Sequence, residues 1–242
     1  MTDTMIFRRM EKKYVISQRQ KDRLLNVIGE RLTPDEYGES TICSLYIDTP
    51  DCLLARNSIE AKETNAAYKE KLRLRSYGTP GRNDKVFLEL KKKYDGVVYK
   101  RRESMTLSEA MNYLVTGSKP FESQIMNEID YAMKFYRHPA PAMTVCYERT
   151  AYYVKNMPAL RITFDSSVRY RPNDTALEEG SHGKLLIPDG VYIMEIKTDG
   201  VMPPWLSGAL GLCEILPASF SKYGSAYVDY YFGNRKGDKI YG

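Results

Sequence analysis

Basic residues occupy every second position of the segment "AYKEKLRLRSYG", which spans residues 67–78. Side chains at alternate positions of a β-strand share one face, so a strand here would carry Lys69, Lys71, Arg73 and Arg75 as one row of positive charges. The leucines between them would lie on the opposite face. Such a strand constrains the fold, because its charged face must meet either solvent or a ligand of opposite charge.

The same alternation recurs along the chain. The segments "FLELKKK" (87–93), "LRITFD" (160–165) and "MEIKT" (194–198) each place charges on one face and apolar residues on the other, whereas "VYKRRE" (98–103) is charged on both faces. Half-solvated antiparallel strands are common. Here, however, several amphipathic helices are available to cover the apolar faces. We therefore expect an α+β fold in which about eight strands form a closed antiparallel β-barrel, or tunnel, with the charges inside and helices wrapped around it.

Local signals mark the helices. Ser17 can cap a helix over 18–32, and Thr106 with Glu109 forms a capping box before a helix that Gly117 ends. Further helices are predicted at 50–61, 121–137, 203–216 and 221–232.

Nothing in the sequence divides the chain, so residues 1–233 are expected to form a single domain, followed by a polar tail at 234–242. The net charge of +5 permits an anionic partner without identifying one. The scattered cysteines argue against a disulfide framework or a zinc site and favour a reducing cytoplasm. No apolar run has the length of a signal peptide or a bilayer span. Any membrane partner is therefore expected to be a separate chain.

A lumen lined by Lys and Arg must be wet and must hold an anion, because unpaired buried charge is very costly. A long phosphate chain suits it best, since Arg supplies forked hydrogen bonds and Lys acts as a point charge. Inward carboxylates would then hold a divalent metal that bridges phosphate oxygens.

Nine segments, taken in order, resemble the VTC domain, the polyphosphate polymerase branch of the triphosphate tunnel metalloenzymes. The resemblance implies a tunnel in which the γ-phosphate of ATP is moved onto a growing polyphosphate chain with Mn²⁺ or Mg²⁺. The segments are "EKKYVI" (11–16), "SLYIDT" (44–49), "KLRLRSYG" (71–78), "FLELKKK" (87–93), "CYERTAYY" (146–153), "LRITFD" (160–165), "MEIKT" (194–198), "PPWL" (203–206) and "SFSKYGSA" (219–226).

The resemblance also implies roles for residues at the matching positions. Glu195 is the expected metal ligand, with Glu89 and Glu11 as helpers. The catalytic cations would be Lys13, Arg73, Arg75, Lys91, Arg149, Arg161, Lys197 and Lys222. Further contacts to the substrate would come from Lys71, Arg101, Tyr147, Ser221 and Tyr223.

One departure bears on the reaction. Hydrolytic relatives carry E-x-E-x-K on the first strand, whereas this chain has Arg9, Glu11 and Lys13 in that register. The substitution favours the polymerase branch and leaves open whether one metal or two bind. The alternatives are a triphosphatase or tripolyphosphatase with the same fold, and a non-catalytic polyphosphate-binding module. No nucleic-acid partner is expected, because no RNA-binding motif is present.

Overall fold

The computed structural model describes residues 9–63, 68–94 and 97–233. The predicted tail at 234–242 and the side chain of Arg9 lie outside the described residues. Within them, the alternating segments form strands of a single antiparallel sheet, and the predicted helices are present. The strands are β1 (Arg9–Ser17), β2 (Leu32–Asp48), β3 (Tyr68–Tyr77), β4 (Lys85–Tyr94), β5 (Val97–Thr106), β6 (Ala140–Val154), β7 (Met157–Arg171), β8 (Lys184–Leu185) and β9 (Val191–Asp199). The helices are α1 (Gln18–Ile28), α2 (Leu53–Glu63), α3 (Leu107–Thr116), α4 (Gln124–Phe135), α5 (Pro204–Leu212) and α6 (Lys222–Phe232).

Helix boundaries follow the capping residues. Ser17 and Gln20 form a capping box at the start of α1, and Thr106 forms one with Glu109 at the start of α3. The helix predicted to reach residue 32 ends at Ile28, because the chain then makes one 3₁₀ turn and enters β2. None of the described helices has the length and apolar character needed to cross a membrane.

The outer face of the sheet is apolar and covered by helices. The side chains of Leu72, Leu74 and Leu88 are fully buried in a cluster with residues of α3 and α4. Each such leucine contributes about 1.5–3 kcal/mol relative to an exposed one. At the other end of the sheet, β1, β7 and β9 pack their apolar faces in a second cluster with α1 and α5. Because the apolar faces are occupied in this way, the charged faces of these strands must turn to the other side.

Helix α6 packs on that other side, in a third cluster with buried residues of β2, β6 and β7. Its Tyr223 ring stacks on Tyr46 of β2, with ring centroids 4.3 Å apart. The Tyr223 hydroxyl donates to Asp48 at 2.7 Å. Asp48 also accepts from the backbone amides of Leu54 and Ala55, both at 2.9 Å, so it explains why α2 begins at Leu53 rather than at residue 50. Asp48 therefore ties α2 and α6 to the end of β2.

The prediction of a closed barrel is wrong. The strand order is β1-β9-β7-β6-β2-β3-β4-β5, with β8 paired to β7, and within the described residues no backbone ladder joins β1 to β5. The sheet nevertheless curls back on itself, as shown by the 3.4 Å distance between Lys91 Nζ of β4 and Glu11 Oε2 of β1. The fold is thus an open, strongly curled sheet, and we call its concave side the inner face.

Candidate active site

The inner face collects most of the residues predicted from the alternating pattern. Their side chains contact one another across strands that are distant in sequence, as the ion pairs below show. The residues brought together are Glu11 and Lys13 of β1, Lys71, Arg73 and Arg75 of β3, Glu89 and Lys91 of β4, Tyr147 and Arg149 of β6, Glu195 and Lys197 of β9, and Ser221 and Lys222 at the start of α6.

Two of the predicted site residues, Arg101 and Tyr223, do not join this cluster. Arg101 donates from Nε to Glu128 of α4 at 2.5 Å, so it lies on the outer face. The Tyr223 hydroxyl is directed to Asp48, away from the charged cluster. Arg161 lies on the inner face at its margin, where it pairs with Asp35.

Glu89 is enclosed by cations. Arg73 donates to one carboxylate oxygen through Nε and Nη2, both at 2.7 Å. Arg102 donates to the other oxygen from Nε at 2.6 Å and from Nη2 at 2.5 Å, and Lys100 Nζ lies 2.7 Å from the same oxygen. Burial opposes ionisation of Glu89, but the charges of Arg73 and Arg75 hold its pKa below the usual range. Each oxygen of Glu89 is therefore occupied by arginine or lysine, and Lys100 and Arg102 join the site although the sequence analysis did not select them.

Asp165 is a second buried anchor that the sequence analysis missed. Its side chain is fully buried, and Arg149 donates to it in a bidentate pair at 2.6 and 2.8 Å. Lys222 Nζ, at the start of α6, lies 2.5 Å from Oδ2. Burial opposes ionisation, yet the charges of Lys222 and Arg149 lower the pKa of Asp165. Asp165 thus fixes a cation of β6 and a cation of α6 beside each other.

Arg75 carries a buried charge without full hydrogen bonding. The residue is 7% exposed, and its Nε has no hydrogen-bond partner among the described residues. Its Nη2 lies 3.4 Å from the Tyr147 hydroxyl, a marginal contact. The Tyr147 ring is itself approached by Lys222 Nζ at 4.4 Å and by the Arg149 guanidinium at 5.3 Å. A buried guanidinium in such surroundings calls for an added acceptor, and a phosphate oxygen would supply it.

Lys71 lies among other cations. Its Nζ donates to Ser221 Oγ, the N-cap of α6, at 2.8 Å. Burial, reinforced by the positive charges of Lys13, Lys91 and Arg73, lowers the pKa of Lys71 well below its usual value. Because the charges that act most strongly on Lys71 among the described residues are positive, the cluster is suited to a polyanion that enters between these strands.

Glu11 and Glu195 are the carboxylates best placed for a metal. They lie diagonally on neighbouring strands, because the register pairs Glu11 with Lys197 and Glu195 with Lys13. Among the described residues, no group of three or more His, Cys, Asp or Glu side chains comes together. Two carboxylates suit Mg²⁺ or Mn²⁺, which takes its remaining ligands from water and substrate phosphates. The chemistry of this donor pair is that of a divalent cation bound together with a phosphate chain, with both carboxylates paired to lysines in this structure.

Comparisons with known proteins bear on the family and the fold of the chain. A family profile described as the VTC domain matches residues 8–231. No curated protein matches the sequence. A candidate adenylate cyclase from Bacillus halodurans has a similar fold, with a TM-score of 0.52, 13% identity, and 92% of this chain and 96% of that chain covered. A candidate adenylyl cyclase from Hippeastrum, described as having a dominant triphosphatase activity, gives a TM-score of 0.50 at 16% identity, with 93% and 96% covered. At these identities the likeness to the two solved structures shows a shared fold.

Proposed function

Because the chain belongs to the VTC domain family of the triphosphate tunnel fold, we propose that it is a polyphosphate polymerase that transfers the γ-phosphate of ATP onto a growing polyphosphate chain. The observation that carries the proposal is the buried, incompletely hydrogen-bonded guanidinium of Arg75, which lies among further basic side chains on the inner face of the curled sheet. Phosphoryl transfer depends on positioning and charge neutralisation more than on a protein nucleophile. The inner face offers both.

In the proposed reaction, a terminal phosphate oxygen of the chain attacks the γ-phosphorus. A new P–O bond forms, the bond to the β–γ bridging oxygen breaks, and ADP leaves with the electron pair. Arg75 and Arg73 hold the donor phosphates from β3, while Lys222 and Arg149 hold the acceptor end from the opposite wall. Asp165 keeps the last two in place, and Glu89 keeps Arg73 in place.

Glu11 and Glu195 would hold the divalent metal, with Glu195 as the main ligand. When bound, the metal would neutralise charge on the phosphate oxygens. We assign Glu89 to positioning rather than to the metal, because both of its oxygens already accept from Arg73, Arg102 and Lys100. Among the described residues, the ion pair of Glu195 uses one oxygen, which lies 2.6 Å from Lys197 Nζ.

A second candidate is hydrolysis of tripolyphosphate or a nucleoside triphosphate in the same site, with water as the nucleophile. The shared fold with the Hippeastrum protein, described as having a dominant triphosphatase activity, favours this alternative. A non-catalytic polyphosphate-binding module is the third, since the cations alone would hold a polyanion.

One experiment separates the three. The purified chain is incubated with ATP and Mn²⁺, and the products are resolved on a polyphosphate-stained gel while released phosphate is measured in parallel. Polymerisation predicts a ladder of lengthening chains that Glu195→Gln abolishes. Phosphate release without a ladder would select hydrolysis, and retention of polyphosphate without any turnover would select the binding module.

A further inference from the structure

Two aromatic rings interrupt the charged inner face at one end of β3 and β4. Tyr77 follows Arg75 by two positions and so shares its face, and Phe87 lies directly opposite Arg75 in the register. The two rings meet edge to face, with centroids 5.8 Å apart and planes at 85°. Tyr77 is 53% exposed, in contrast to the buried Arg75 beside it. An open aromatic surface therefore adjoins the deepest unsatisfied cation of the site.

Arg102 connects these rings to the charged cluster. Its guanidinium lies 4.4 Å from the centroid of the Phe87 ring, whose edge-to-face partner is Tyr77. The same guanidinium donates to Glu89, which holds Arg73. Because one set of contacts fixes both the rings and the phosphate-binding cations, the two groups have a defined relative position.

We propose that Tyr77 and Phe87 form a stacking platform for the base of the nucleotide donor, with the phosphates running from Arg75 toward Arg73. The proposal rests on the proposed function, which requires ATP as donor. Side chains two apart on a strand are separated by about 7 Å, so the path from Tyr77 past Arg75 to Arg73 covers about 13 Å. This span accommodates a nucleoside triphosphate with its base outside and its γ-phosphate within the cluster.

A stacking platform would give the site a selectivity for nucleotides that its cations cannot provide. Lysines and arginines bind tripolyphosphate and ATP alike, whereas an aromatic ring adds affinity only for a ligand that carries a base. Base–aromatic stacking tolerates any base, because every base has a π-face. The site should therefore distinguish nucleotides from inorganic polyphosphate while accepting ATP and GTP similarly.

Calorimetric titration of ATP and of tripolyphosphate into the wild type, Tyr77→Ala and Tyr77→Phe tests this platform. Tyr77→Ala should weaken ATP binding about 5- to 100-fold and leave tripolyphosphate binding unchanged, while Tyr77→Phe keeps the ring and the ATP affinity. Tyr99→Ala is the matched control, because Tyr99 is a similarly exposed strand tyrosine on the opposite face of the sheet.

An equal loss for both ligands, or an unchanged affinity for ATP, would overturn the platform. Thermal melts of each variant establish that it is folded. The outcome is independent of chain growth: a wild type that binds ATP but makes no polyphosphate refutes the polymerase, whereas a wild type that makes polyphosphate while Tyr77→Ala binds ATP normally refutes the platform alone.

Discussion

Lys91 of β4 and Glu11 of β1 form an ion pair across the inner face, with Nζ and Oε2 3.4 Å apart. The two strands lie near opposite ends of the strand order, so this contact is possible only because the sheet curls back on itself. Glu11 also lies 3.4 Å from Lys13 Nζ. The curl therefore gathers charges from both ends of the sheet around one space, and this is the property from which the phosphate-binding proposal follows.

Replacing Arg75 with methionine should separate binding from stability. Its guanidinium is buried and its Nε has no partner among the described residues, so the native fold gains little from its hydrogen bonds. Glu89 keeps its direct partners Arg73, Arg102 and Lys100 when the Arg75 charge is removed. We expect tripolyphosphate binding to weaken about 10- to 100-fold. The free energy of unfolding should stay unchanged or rise by about 1–2 kcal/mol. Calorimetry and urea denaturation measure the two quantities, and a clear loss of stability with full binding would contradict the assignment.

Glu89→Gln should slow turnover without changing the metal requirement. The substitution removes the charge that orients Arg73 and Arg102, and misplaced positioning groups can cost about 100-fold in rate. The Mn²⁺ concentration at half-maximal activity should remain that of the wild type. Glu195→Gln is the matched comparison and should raise that concentration. A similar rise in the half-maximal Mn²⁺ concentration for Glu89→Gln would indicate that Glu89 is a metal ligand.

Acid should remove the stabilisation that Asp165 provides. Because the folded-state pKa of Asp165 is lowered, its contribution is complete above the unfolded value of about 4 and is lost as the pH falls through the folded value. Asp165→Asn should cost about 3–5 kcal/mol at neutral pH. Denaturation curves recorded from neutral pH to about pH 3 should show this difference shrinking only below about pH 4. A difference that is constant over the whole range would argue against the linkage.

Polyanion binding should be accompanied by proton uptake at Lys71. The pKa of Lys71 is lowered by burial and then by the surrounding cations, and a bound polyanion raises it again. Affinity should therefore fall as the pH rises between the lowered pKa of Lys71 in the free protein and its higher pKa in the complex. Calorimetry in two buffers of different ionisation enthalpy, at a pH where phosphate groups are fully ionised, measures the uptake. Lys71→Met should reduce it, and identical heats for the wild type in both buffers would refute the coupling.

Period-two alternation was sufficient to predict the faces of several strands. On β3 and β4 the leucines pack outward and Arg73 and Glu89 face inward, as expected. Alternation requires only that a segment be a strand, which is local information. It failed on β5, where adjacent Arg101 and Arg102 are both charged and only the pairing with β4 shows that Arg102 faces Glu89.

Other features depend on contacts between distant parts of the chain. Asp165 lies on the same face of "LRITFD" as Arg161, so the alternating pattern alone predicts that its side chain faces inward. Its pairing with Lys222 depends instead on where α6 packs. The direction of the Tyr223 hydroxyl depends likewise on Asp48. The lack of a backbone ladder between β1 and β5 within the described residues depends on how the two ends of the sheet meet, which no local pattern encodes.

The most direct test of the central claim follows the label of [γ-³²P]ATP in the presence of Mn²⁺ and a short polyphosphate primer. The account predicts that the label appears in lengthening chains in amounts equal to the ADP formed, and that Glu195→Gln still binds tripolyphosphate but transfers no label. Label recovered entirely as inorganic phosphate, under conditions in which an established polymerase extends the primer, would contradict it.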